Sequence, residues 1–89
     1  MAMDAVLLTG TIRALSRNGS VAAVEVHDTG EFTVMKWLGG GSIAIGDRLL
    51  GALDAFGSET LFNVTQRVDV DAFIQAIDCT ANDARRLCG

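Results

Sequence analysis

Proline is absent from the 89 residues, histidine and tryptophan occur once each, and cysteine twice. Without proline, the breaks in the apolar runs fall on glycine and polar residues, as in SIAIGDRLLGALDAFGSETLFNVT between Ser42 and Thr65. The two thiols, Cys79 and Cys88, flank a segment that reads as a helix, whose rise of about 1.5 Å per residue sets their Cα atoms roughly 12–14 Å apart, beyond disulfide reach. Free, reduced thiols are expected. The lone His27 is followed by Asp28, but neighbours on a strand point to opposite faces and no motif places a nucleophile. His27 is therefore read as a strand-end residue and Asp28 as a turn former. No apolar run approaches the roughly 18–20 residues of a membrane span, and the opening MAMDAVLLTG lacks the cationic and long apolar regions of a signal peptide. A cytoplasmic location is the expectation, with no membrane partner.

Hydrophobic residues make up 49% of the chain, which excludes the composition of a disordered segment. The length fits a single domain, 1–89, with room for one core. For so short a chain the apolar share is high, and the excess points to a buried contact with a protein partner or with a second copy in a homo-oligomer. Seven basic and eleven acidic residues leave a formal charge of −4. That field repels phosphate backbones, so nucleic acid is disfavoured as a partner unless a local basic patch overrides it.

Alternation of period two runs through most of the chain. AVLLTGTIRAL, 5–15, reads as a strand whose Gly10 suggests a bend or bulge. Asn18-Gly19 is a hairpin signal, and VAAVEVH, 21–27, is the second strand. DTG, 28–30, turns into EFTVMKWL, where Phe32, Val34 and Leu38 form one row and Thr33, Met35 and Trp37 the other. GGGS, 39–42, is a flexible connection; Gly46-Asp47 opens a strand from Arg48 to Leu53 or Ala55, interrupted at Gly51. FGSE, 56–59, is read as a turn into LFNVTQR and then VDVDAFIQAI. TAND, 80–83, has the pattern of a helix N-terminus, with Arg85 and Arg86 near the C-terminal end of a helix over 81–88. That helix is expected to cap one barrel end, with Ala84, Leu87 and Cys88 inward. The glycines then mark corners and turns of a small, coiled antiparallel sheet: an all-β barrel of five or six strands over about 5–77, with a short C-terminal helix.

A strand with a central glycine, two tight hairpins and the turn Ile43-Ala44-Ile45-Gly46-Asp47 together resemble the OB-fold or an SH3-like small barrel. GDRLLGALDAFGSETLFNVT is also similar to stretches of small bacterial proteins, a likeness that implies no activity. The OB resemblance implies either a surface across strands two and three that takes single-stranded nucleic acid or oligosaccharide, or a module that serves purely in protein interaction.

Candidate chemistry is sparse. Asp69 and Asp71 share a strand face roughly 6.5–7 Å apart but lack calcium-loop spacing, and they read as a charged outer face. Cys79, Cys88 and His27 would bind zinc only with a ligand from a second chain. Gly39–Gly41 lacks the strand and helix context of a phosphate loop. No catalytic residue, metal or cofactor is expected, and the protein is not read as an enzyme. The favoured candidates are Met35 and Trp37, as an interface for a partner or second copy, with Lys36 and Arg13 beside them; the plainer reading has Trp37 capping the barrel core under the C-terminal helix. With Arg13 and Arg17 reaching phosphates, the same face is the alternative site for a single-stranded nucleic acid.

Overall fold

The computed structural model describes residues 7–88. They form β1 (Leu8–Leu15), β2 (Val21–Val26), β3 (Phe32–Gly39), β4 (Arg48–Gly51), β5 (Gly57–Asn63), β6 (Val68–Cys79) and α1 (Ala81–Cys88). The β1–β2 reversal follows from its residues: Gly19 takes a φ of 76°, and Asn18 Oδ1 accepts hydrogen bonds from the hydroxyls of Ser16 and Ser20 and from the Ser20 amide. The strands close into an antiparallel barrel in the order β1-β2-β3-β6-β5-β4. Two three-stranded meanders, β1–β3 and β4–β6, meet along the β3–β6 and β1–β4 pairs. Closure leaves no free edge among the described strands, which removes the usual route to strand-by-strand aggregation.

The inward row of each strand fills the barrel. Ile12, Val24, Met35, Leu49, Leu61 and Val70 have no exposed surface. A second, smaller cluster lies outside the wall, where Ala23 of β2 and Val34 of β3 are covered by Ala84 and Cys88 of α1. This explains why β2 and β3 carry apolar residues on both rows: one faces the barrel and the other the helix. α1 therefore lies along the outer wall rather than across a barrel end, and Leu87 is exposed rather than inward. Small side chains at Ala23 and Ala84 allow that close approach. The helix starts at Thr80, whose Oγ1 accepts the Asp83 amide and whose carbonyl accepts the Ala84 amide.

A register shift in β6 makes room for the helix. Val34 pairs with Ala76 but Met35 with Ile74, so one residue of β6 is extra at that point. Before the bulge, the outer residues Asp69, Asp71 and Phe73 are exposed; beyond it, Ala76 and Cys79 turn toward α1.

The strand boundaries and turns differ from expectation at four points. The stretch 56–59 is not the β4–β5 turn: residues 52–56 connect these strands and β5 begins at Gly57. Val64 to Arg67, expected within a strand, is instead the β5–β6 turn. Asn63 drives it by accepting the Gln66 amide on Oδ1 and the Arg67 amide on its carbonyl, with Arg67 at a φ of 60°. The β1 bulge falls between Ile12 and Ala14, not at Gly10. Gly10 serves close packing: a Cβ there would lie 2.6 Å from Val24 Cγ1 and 2.9 Å from the Glu25 carbonyl oxygen. The first strand expected from Ala5 begins at Leu8, residues 5 and 6 lying outside the described range.

Gly10→Ala is expected to cost about 1–3 kcal/mol through overpacking. Thermal melting followed by circular dichroism should show a fall of roughly 4–8 °C for each kcal/mol.

Candidate functional site

The row shared by Met35 and Trp37 faces the barrel interior. Met35 is wholly buried, and Trp37 is half-buried against the core, its Nε1 donating to the Gly40 carbonyl at 3.1 Å. Trp37 thereby ties the end of β3 to the glycine run that follows. Lys36 lies in the opposite row and is exposed. Arg13, also exposed, is held by Glu25, with Nε 2.8 Å from Oε1. The structure therefore separates these four residues: one in the core, one at its margin, and two on outer surfaces facing different neighbours.

Outside the barrel, the first half of β6 and its partners present a different group. Phe73 stands opposite Lys36 of β3 and Ser58 of β5, and Phe62 of β5 stands opposite Asp69 of β6 and Leu50 of β4. Phe73 and Phe62 keep 43% and 39% of their surface exposed, and Leu38 of β3 keeps 53%. Leu38 lines an open cleft together with Thr60 and Asp71, which are joined by a hydrogen bond of 3.1 Å from Thr60 Oγ1 to Asp71 Oδ1. The signal for this face was present in VDVDAF: Phe73 is in phase with Asp69 and Asp71, the row assigned to solvent.

A buried polar cluster sits where the β3–β4 connection meets the β5–β6 turn. Asp47, 5% exposed, accepts on Oδ2 from the Ala44 amide at 3.0 Å, Asn63 Nδ2 at 2.8 Å and Gln66 Nε2 at 2.6 Å. Asn63, with no exposed surface, also donates to the Ser42 carbonyl. These bonds tie the β3–β4 connection to the β5–β6 turn. The cluster's sequence signal, Gly-Asp at a turn, indicates the turn but not the distant partners.

His27 lies in the β2–β3 turn with Nε2 2.7 Å from the hydroxyl oxygen of the buried Thr11, which ties that turn to β1. Among the described residues, no group of three or more His, Cys, Asp and Glu side chains is arranged to hold a metal ion. Cys79, at the end of β6, and Cys88, the last residue of α1, are free thiols. Burial pushes the Cys79 thiol above its ordinary range, and the carboxylates of Asp83 and Asp78 add to the rise. Burial raises Cys88 as well, opposed by a backbone hydrogen bond at Ala23. Among the described residues no helix is long and apolar enough to cross a membrane.

No protein-family model, no curated protein and no solved structure matches the chain.

Asp47→Ala removes one acceptor from three donors, and unfolding in denaturant is expected to show a loss of about 3 kcal/mol. A loss within measurement error would mean that the cluster does not bind these segments together. For the thiols, the raised folded-state value means their contribution to stability is complete below the ordinary cysteine value of about 8.5 and is lost as pH rises through the higher folded value. The denaturant midpoint under reducing conditions should accordingly fall as pH rises above about 8.5, and less so in Cys79→Ser/Cys88→Ala.

Proposed function

We propose that the protein is a non-enzymatic interaction module that associates with a second copy of itself through the outer face of β3, β5 and β6. The observation that carries this is the exposure of Phe62, Phe73 and Leu38 on one side of a barrel whose interior is already filled. Exposed aromatics on a folded wall favour association, because covering them releases water at no cost to the core. The face is also self-complementary: Lys36 stands opposite Phe73, and Asp71 is the next outward residue on the same strand. A two-fold arrangement brings the lysine of each copy to the aspartate of the other.

This reading moves the interface from the Met35/Trp37 row to the row beside it. It keeps the likeness to OB-type barrels as a likeness of architecture, with six strands in place of five. The alternative, binding of single-stranded nucleic acid, loses support on two counts. The outer face of β2 and β3, the surface such barrels use, is occupied by α1 at Ala23 and Val34. On the bare face, Asp69 and Asp71 flank the aromatics and repel phosphates.

Light scattering coupled to size exclusion should give twice the 9.4 kDa of one chain at high protein concentration. Phe62→Ser/Phe73→Ser should return a single-chain mass with an unchanged far-UV spectrum. A wild-type chain that stays single at every concentration overturns the proposal. One that instead carries a labelled single-stranded oligonucleotide at low salt and drops it at high salt favours the alternative.

A further inference from the structure

At the end of the barrel where β1 begins and β6 finishes, the wall opens into a cavity of about 190 Å3. Leu8, Val26 and Ile77 give it apolar sides continuous with the core. Thr33 lies at its base, and because its hydroxyl donates to the Leu53 carbonyl at 2.7 Å, only oxygen lone pairs remain for an entering group. Among the described residues four carboxylates also line the cavity: Asp28 and Glu31 from the β2–β3 turn, Asp54 from the β4–β5 connection, and Asp78 from the end of β6. Among the described residues, no lysine or arginine lines it. Among the described residues, none of the four acids has a basic partner at ion-pair distance.

We propose that this barrel mouth binds an organic cation: a short alkyl stem bearing an ammonium or guanidinium group. The stem matches the apolar sides, and the charged head matches a rim that offers acceptors and negative charge but no cationic donor. A bare metal ion is a poorer match, since these carboxylates are not gathered as a metal's ligands would be. An anion is repelled. The volume is below the roughly 300–1,000 Å3 of sites for drug-sized ligands, so the occupant is about as large as one lysine or arginine side chain. The site is distinct from the outer face of β3, β5 and β6, and neither proposal depends on the other.

The test is an amide NMR titration of the full chain with n-pentylammonium, Nα-acetyl-lysine amide and, as the neutral counterpart, n-pentanol. Shifts from the two amines should concentrate at Val26, Thr33 and Ile77. The affinity should weaken several-fold from low to high salt, because the rim is open to solvent. The variant Glu31→Gln/Asp54→Asn, changed only at exposed positions, should bind the amines roughly three- to tenfold more weakly and leave pentanol unaffected. Tighter binding of the lysine amide assigns the site to a protein side chain, and tighter binding of pentylammonium assigns it to a free amine. Absence of mouth shifts with both amines, or equal binding of pentanol and pentylammonium, overturns the proposal.

Discussion

The carboxylate of Asp47 joins parts of the chain that the strand pairing alone would leave loosely connected. Its backbone carbonyl accepts the Ile12 amide of β1, while Gly46 donates to the Ile12 carbonyl, so the turn is sewn to the first meander. Its side chain takes donors from its own loop at Ala44 and from Asn63 and Gln66 of the second meander. Such a buried carboxylate is stable only when its lone pairs are met by donors. Here three donors, from its own loop and from the second meander, meet on its Oδ2, so forming the β5–β6 turn and satisfying this oxygen go together. The strained Arg67 and the long β3–β4 connection become tolerable because their ends are fixed by this group.

With the interior filled, the outer wall is divided among unlike tasks. Over β2 and β3 it holds α1, so that helix formation and barrel formation share the Ala23–Val34 seat. Over β5 and the first half of β6 it is bare and aromatic. The bulge in β6 separates the two regimes, letting one strand present Phe73 to solvent and Ala76 to the helix. Without that extra residue, the row under the helix would continue the exposed acidic row.

Charge is also sorted along the barrel axis. The connections 27–31 and 52–56, at one end, contain Asp28, Glu31 and Asp54 and no lysine or arginine. The turns 16–20 and 64–67, at the other, contain Arg17 and Arg67 and no acid, and the third connection there, 40–47, adds one acid, the buried Asp47. A net charge of −4 averages over this separation, so the chain total is a poor guide to what either end attracts.

Alternation and turn chemistry were enough to give the all-β class, the barrel, the Asn18-Gly19 hairpin and the helix over 81–88, because each rests on residues close together in the chain. They misplaced the β4–β5 and β5–β6 turns, since Asn63 forms its turn through a side chain that is itself aligned by Asp47, sixteen positions earlier. Period two also separated the rows of β3 correctly, Met35 and Trp37 from Val34 and Leu38. It does not say which row faces inward when both are apolar. That decision belongs to tertiary structure: α1, remote in sequence, covers Val34, and this commits Met35 to the barrel. The four acids at the mouth are likewise scattered from Asp28 to Asp78 and become neighbours only because antiparallel strands return their ends to one side of a closed barrel.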